Sequence, residues 1–95
     1  FATMLVQSND WFVGTDGIQL YNNGTPVSGD ITNLIGLFDA GTETDEYAGA
    51  GRNQPVRQGE PNTGADENGE VEVETNPGSQ VPNVSEMVKV TINPN

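Results

Sequence analysis

The sequence contains no cysteine and no histidine, and only three of its 95 residues are basic. The absence of cysteine excludes disulfides, thiolate-bound zinc, iron–sulfur clusters and thiol nucleophiles. The absence of histidine removes the usual general base near neutral pH and the Ser–His and Cys–His catalytic pairs. The three bases, Arg52, Arg57 and Lys89, form no basic patch, and the net charge is −11. Nucleic-acid phosphates and anionic membranes repel such a chain, so we expect no nucleic-acid partner.

Long apolar runs are also missing. Only 33% of the residues are hydrophobic, and the chain carries 12 glycines and 6 prolines. No run approaches the roughly 20 apolar residues that span a bilayer, so no transmembrane segment is predicted. A domain of this size is marginally stable even with a good core. We therefore expect support from a bound metal, from another chain or from upstream sequence, whose removal is suggested by a start at Phe1 rather than Met.

The pattern of apolar residues predicts a single all-β domain over residues 1–95 with long loops. No segment of 11 or more residues keeps a helical apolar spacing, because Gly, Pro and Asn interrupt it. Strands are predicted at residues 2–7 (buried), 11–13, 31–38 (with or without a bulge at Gly36) and 87–92. Ile18, Leu20 and Val27 form a further apolar unit around residues 22–24. Residues 87–92 have the clearest pattern, an alternation of apolar and polar side chains. Asn23 and Gly24 between apolar segments predict a tight hairpin turn.

The acidic residues are concentrated in residues 39–82, a long loop region that holds ten of the fourteen acids. Residues 70–74 alternate Glu and Val, which predicts a solvated edge strand or a strand with one acidic face. Residues 64–69 are similar to a helix–loop–helix calcium loop. Gly64 and Thr75 stand where that motif requires acids, however, so the segment is interpreted as a turn.

The densest acidic segment follows an apolar strand directly, at residues 37–46, LFDAGTETDE. Its acids repel one another unless solvent screens them or a cation bridges them. Calcium binds six to eight oxygens of carboxylates, carbonyls and water, and a loop with small residues can wrap around it. A metal site and a solvated acidic loop both remain open from composition alone. Asp10 with Asp39 or Glu43 would suit glycoside hydrolysis, but nothing else supports catalysis, so no enzyme is predicted.

Two separated motifs resemble the spondin domain, the N-terminal domain of F-spondin and mindin that also occurs in secreted bacterial proteins. Residues 8–14 read SNDWFVG, and residues 39–43 read DAGTE at nearly the family spacing. Asn9 replaces the family's proline, and Glu43 stands where animal members have Asp. Residues 54–64 and 84–92 resemble the bacterial branch. The resemblance covers the C-terminal portion of the family domain.

The resemblance implies an antiparallel β-sandwich with one calcium ion at a loop end. Carried over to this sequence, the ligands are Asp10 and Asp39, then Glu43 and Asp45, with carbonyl oxygens near Leu37 and Asp39 completing the shell. The implied role is that of a secreted, extracellular, non-catalytic module for adhesion or for assembly at a cell surface or matrix. Its implied partner there is a protein or a glycan.

The family's N-terminal strands have no counterpart in these 95 residues. We therefore expect an incomplete sandwich with open edges, completed by upstream sequence or by a neighbouring subunit. The alternative function is a structural subunit of an extracellular filament or surface polymer, formed by strand exchange, in which a metal is incidental.

Overall fold

A computed structural model describes residues 1–75 and 83–95 and confirms the all-β class. The strands are short and antiparallel: β1 (Ala2–Met4), β2 (Trp11–Gly14), β3 (Tyr21–Asn22), β4 (Thr25–Pro26), β5 (Gly29–Asp30), β6 (Gly36–Asp39), β7 (Glu72–Val73) and β8 (Thr91–Ile92). A 3₁₀ helix covers Thr32–Leu34, and a four-residue helix, α1, covers Val84–Met87. Within the described residues, no helix is long and apolar enough to cross a membrane.

The strands form one open four-stranded sheet, in the order β1-β2-β6-β7, and two two-stranded ladders, β3-β4 and β5-β8. The described sheets do not close into a barrel, and the second layer of the expected sandwich remains a prediction. In the centre of the large sheet, β2 pairs with β6 so that Trp11 lies opposite Asp39 and Gly14 lies opposite Gly36.

The hydrophobic core is small, as the composition predicts. Among the described residues its buried members are Trp11, Val13, Ile31 and Ile35. Phe12 stacks on Phe38 across the strand pair, with ring centroids 5.3 Å apart. The accessible surface is 6433 Å², against about 5300 Å² for a compact protein of this mass. The Cα radius of gyration, 15.5 Å, also exceeds the roughly 13 Å of a compact domain.

Several predicted strands differ from the structure. The segment predicted as a buried strand at residues 2–7 forms only β1, whose three residues are exposed at the edge of the sheet. The strand predicted at residues 31–38 is interrupted by the 3₁₀ helix, so only β6 remains of it. The strand predicted at residues 87–92 shortens to β8, although Val88, Val90 and Ile92 are less exposed than Lys89 and Thr91, as expected.

One turn prediction and one strand prediction are confirmed. Asn23 and Gly24 join β3 to β4 with φ of 48° and 79°, the left-handed conformation that such hairpins require. The alternating Glu–Val segment forms β7, an exposed edge strand that pairs with β6. Residues 76–82 of the predicted acidic loop region lie outside the described residues.

Candidate metal centre

The central strand pair brings the two motif aspartates to the same end of the sheet. Asp10 directly precedes β2, and Asp39 is the last residue of β6. The Trp11–Asp39 register, continued by the hydrogen bond from the Ala40 amide to the Asp10 carbonyl oxygen (3.2 Å), places the two aspartates next to each other. The 29-residue separation in sequence is therefore closed by a single antiparallel ladder.

The two oxygens of the Asp10 carboxylate differ in their hydrogen bonding. Its Oδ2 accepts hydrogen bonds from the Thr42 amide (2.7 Å), the Thr42 hydroxyl (2.9 Å) and the Glu43 amide (2.9 Å). Its Oδ1 is buried and has no hydrogen-bond partner. A buried, unpartnered carboxylate oxygen is costly, and an ion or a water molecule is among the groups that can complete it.

Asp39 is 5% exposed, and its Oδ1 accepts a hydrogen bond from the Gly41 amide at 2.6 Å. Gly41 has φ of 71°, and a Cβ at this position would lie 2.6 Å from the Glu70 carbonyl oxygen. Glycine is therefore required by the backbone conformation and by the close approach of the neighbouring segment. This tight turn fixes the Asp39 carboxylate at the sheet end.

A second segment of the acidic loop packs against this turn. The Gly69 amide donates to the Gly41 carbonyl (2.7 Å), and the Glu67 amide donates to the Thr42 carbonyl (3.1 Å). The Thr44 amide donates to the Ala65 carbonyl (2.7 Å). This pairing carries Glu67 to the motif aspartates, where ligand atoms of Asp10, Asp39 and Glu67 lie within 4.8 Å of one another.

A third segment arrives through the edge strand. The pairing of β7 with β6 places Glu72 opposite Asp39, and the Glu74 amide donates to the Leu37 carbonyl oxygen at 2.9 Å. Ligand atoms of Asp39, Asp45 and Glu74 consequently also lie within 4.8 Å of one another. The two triads share Asp39, and we call their five carboxylates the Asp39 cluster: Asp10, Asp39, Asp45, Glu67 and Glu74.

Burial first, and the crowding of these carboxylates after it, raise pKa values at the site. Burial raises the pKa of Asp45 to about 6, the negative charges of its neighbours Asp39 and Glu74 act in the same direction, and a hydrogen bond from Trp11 opposes them. The pKa of Glu67 is also raised, by desolvation first and then by Asp39 and Asp10. Both shifts mean that the site resists additional negative charge. A cation would relieve this repulsion, and these carboxylates can hold one.

The structure brings Asp10, Asp39 and Asp45 of the predicted ligands together. Among the described residues, the Glu43 carboxylate belongs to neither triad. It lies against Gly64, where a Cβ would come within 2.6 Å of Glu43 Oε2, while the Glu43 amide supports Asp10. The Leu37 carbonyl accepts the hydrogen bond from Glu74. The ligand roles of Glu43 and Leu37 stay predictions.

Sequence reasoning missed Glu67 and Glu74. The only local signal for Glu67 was the Asn68–Gly69 turn that follows it, and the signal for Glu74 was the alternation of residues 70–74. Neither pattern says which other segment its acid will approach. That information lies in the long-range pairing of Gly41 with Gly69 and of β6 with β7.

A further loop is tied beside the site by buried polar groups. Gln54 is fully buried, donating from Nε2 to the Tyr47 carbonyl (2.7 Å) and accepting at Oε1 from Arg57 (3.3 Å). The Gly49 amide donates to the Gln7 carbonyl (2.7 Å), which joins this loop to the turn that precedes Asp10. The loop beside the Asp39 cluster is thus ordered by hydrogen bonds rather than by apolar packing.

Comparison with known proteins does not extend these observations. The chain matches no protein-family model, no curated protein and no solved structure. Arguments about function therefore start from the geometry of the Asp39 cluster.

Proposed function

We propose that this protein is a secreted, non-catalytic calcium-binding β module that serves adhesion or assembly at a cell surface or matrix. The single observation that carries the metal assignment is the Asp10 carboxylate. Its Oδ2 takes three donors, while its buried Oδ1 has no partner and lies in a residue grouped with Asp39 and Glu67. One cation beside Asp10 would satisfy this oxygen and offset the repulsion among the three acids.

The spacing of the ligand atoms fits one ion per triad. Oxygens bound about 2.4 Å from calcium lie at most about 4.8 Å apart, on opposite sides of the ion. The ligand atoms of each triad meet this limit of 4.8 Å. All candidate side-chain ligands are oxygens, because the chain has no histidine or cysteine. Such a donor set favours hard cations over zinc or copper.

Calcium is the cation we propose rather than magnesium. Magnesium demands a near-ideal octahedron at about 2.0–2.1 Å, whereas calcium accepts irregular shells rich in carboxylates. The Asp39 cluster gathers acids from an irregular loop, a strand end and an edge strand, which suits the more permissive ion. Backbone carbonyl oxygens of residues 37–43 and water would complete its shell.

The test of metal binding is calorimetric titration with calcium and with magnesium, combined with thermal melting. A ligand that binds only the native state raises the melting temperature with concentration, by about 2.7 kcal/mol of stability at a hundredfold excess over Kd. Asp39→Asn should abolish binding because both triads share Asp39. Asp16→Asn, which removes an exposed acid outside the cluster, is the matched control and should bind as the wild type does. Identical melts in EDTA and in excess calcium would rule out the site.

The family part of the proposal rests on how the two motifs meet. The residues that resemble the spondin motifs, 8–14 and 39–43, are neighbours in the β2–β6 ladder and contribute Asp10 and Asp39 to one site. This arrangement supports a spondin-like module, and with it an extracellular location and a protein or glycan partner. Binding of the calcium-loaded protein to extracellular-matrix preparations, compared with Asp39→Asn, tests the adhesive role. Equal binding by both forms would contradict a calcium-dependent role.

A second candidate function is a filament subunit built by strand exchange between copies. It is favoured by β1, an edge strand whose three residues are exposed and which, in the described residues, pairs only with β2. The small core and large surface also suit a chain completed by a neighbour. Electron microscopy of concentrated protein in EDTA separates the two functions. Ordered fibres that survive chelation and form equally with Asp39→Asn would favour the filament.

A further inference from the structure

The only tryptophan of the chain links the core to the Asp39 cluster. Trp11 is 1% exposed, and its position is fixed by β2, which pairs with β1 on one side and β6 on the other. Its indole Nε1–H donates a hydrogen bond of 2.6 Å to Oδ1 of Asp45, 34 residues away. A buried core residue therefore also contacts a candidate ligand.

Asp10 and Asp45, which belong to the two triads that share Asp39, are held in different ways. Asp10 is fixed by the amides of Thr42 and Glu43 and by the Thr42 hydroxyl. Asp45 lies in a segment without regular structure, and the indole of Trp11 is the donor that its carboxylate meets. Its neighbour in the chain, Thr44, is held through its carbonyl by the side-chain amide of Asn9 at 3.1 Å. The backbone is thus anchored beside Asp45, and the indole then orients the side chain.

The two partners of this hydrogen bond differ in burial and in rigidity. The indole is rigid and buried, and a buried indole N–H requires an acceptor. The aspartate side chain is exposed, and exposed side chains exchange readily between rotamers. Because the indole is the rigid partner, it orients the carboxylate of Asp45. That carboxylate lies in one triad with Asp39 and Glu74.

We infer that Trp11 is a positioning residue that fixes the carboxylate of Asp45 within the Asp39 cluster through its indole N–H. The consequence for cation affinity rests on the proposed function, whereas the positioning itself does not. A carboxylate held before the ion arrives loses less rotamer freedom on binding, so a preorganised Asp45 should strengthen binding.

The first test uses the metal-free protein. Since the chain has one tryptophan, the ¹⁵N-labelled protein gives one indole N–H signal, whose exchange with solvent reports this hydrogen bond directly. Asp45→Ala should accelerate that exchange by at least about tenfold, the loss of one charge-assisted hydrogen bond. Asp45→Asn, which keeps an acceptor, should restore part of the protection, and Asp16→Ala is the matched control. Unchanged exchange in Asp45→Ala would overturn the inference.

The second test is a double-mutant cycle on calcium affinity. Trp11→Phe keeps a buried ring but removes the donor, and it should weaken binding by about tenfold in the wild-type background. In the Asp45→Ala background the same substitution should change affinity by less than about twofold, because the residue through which it acts is gone. Val13→Ala, which truncates a core residue of the same strand, should lower stability but leave affinity within about twofold.

The outcomes separate the inference from the proposed function. Equal weakening by Trp11→Phe in both backgrounds would show a purely structural role and overturn the inference. If the wild type binds no calcium, the proposed function fails, and the indole exchange rates still decide whether Trp11 fixes Asp45. If Trp11→Phe does not fold, the indole exchange rates of Asp45→Ala, Asp45→Asn and Asp16→Ala still decide whether Trp11 fixes Asp45.

Discussion

The two ends of the four-stranded sheet bury different kinds of side chain. At the acidic end, which carries Asp39 and the loops of residues 40–75, polar side chains such as Gln54 and Asp39 are buried. At the apolar end, beyond Gly14 and Gly36, large apolar side chains are exposed, among them Leu20 and Tyr21, each 61% exposed. Exposed apolar side chains occur at both ends, Val56 and Val71 among those of the acidic end, so the burial of polar groups is what sets the acidic end apart.

This difference shows that the two ends are stabilised by different interactions. Long-range hydrogen bonds from amides, an indole and side-chain amides order the acidic end, where little apolar area is available. The apolar end has a groove of about 430 Å³ lined by Phe1, Ile18, Leu20, Ile31, Val90 and Ile92 among others. Substitutions should therefore disturb the acidic end through geometry and hydrogen bonding, and the apolar end only weakly.

The largest contrast is expected from the same substitution at two left-handed glycines. Gly41→Ala should lower the free energy of unfolding by about 3 kcal/mol, because the Cβ adds a 2.6 Å contact with the Glu70 carbonyl to an unfavourable φ of 71°. At the apolar end, Gly24 has φ of 79° but nothing lies within 4 Å of an added Cβ. Gly24→Ala should therefore lower the free energy of unfolding by only about 1 kcal/mol. Urea denaturation of both variants measures the two effects.

Equal costs at the two glycines would mean that residues 69–70 do not pack against the turn after Asp39. In that case the backbone pairing that places Glu67 beside Asp10 and Asp39 would also be absent. The comparison therefore tests the fold of the acidic end independently of any metal.

The next largest loss of stability is expected at Gln54, whose buried side-chain amide lies beside the Asp39 cluster. Gln54→Ala should lower stability by about 2 kcal/mol, because it leaves the Tyr47 carbonyl and the Arg57 guanidinium without this partner in a loop that has few apolar contacts. Amide hydrogen exchange should accelerate for residues 46–58 and much less in β2. Gln19→Ala, at an exposed position, is the matched control and should change stability by less than about 0.5 kcal/mol. Uniform acceleration across the sheet would contradict a locally ordered loop.

The acidic end should also respond to pH in the metal-free protein. The folded pKa of Asp45, about 6, lies above its ordinary value of 3.8. The native state therefore binds more protons than the unfolded state between about pH 4 and 6, and stability should fall as pH rises through that window. Because Asp45 retains much solvent exposure, the effect should be about 1 kcal/mol or less. Urea denaturation at pH 4.5 and 7 measures it.

Two variants sharpen the pH prediction. Asp45→Asn should flatten this part of the pH dependence, whereas Asp16→Asn should not. If calcium binds as proposed, saturating calcium should reverse the slope near neutral pH, since ligand carboxylates must be ionised to hold the ion. Stability that rises from pH 4.5 to 7 in EDTA would contradict crowding of the carboxylates.

Local patterns predicted the parts of this molecule that depend on neighbouring residues. Asn23–Gly24 predicted a hairpin, and the apolar pattern predicted strands at residues 11–13 and 31–38, which overlap β2 and β6 but do not say that the two pair. The helix Val84–Met87 was missed, although its capping box is visible as Asn83 and Glu86. Its four residues are too few to show a helical apolar spacing.

The acidic cluster was only half predictable because its members meet through long-range backbone pairing. Asp10, Asp39 and Asp45 lie on or beside motif residues, whereas Glu67 and Glu74 arrive on separate segments. The hydrogen bond between Trp11 and Asp45 follows from the same pairing, since it depends on where the loop after Asp39 returns. A single sequence gives no local signal for such contacts.

The smallest effect is expected at the apolar end. Leu20→Ser should change the free energy of unfolding by less than about 0.5 kcal/mol, because the side chain is already 61% exposed. Val13→Ser, at 3% exposure in β2, should cost several-fold more and provides the contrast between surface and core. Urea denaturation at low and high protein concentration measures both. A large, concentration-dependent cost for Leu20→Ser would mean that copies of the chain cover this end in solution, as the filament alternative requires, whereas a negligible cost at both concentrations would favour the monomeric calcium module.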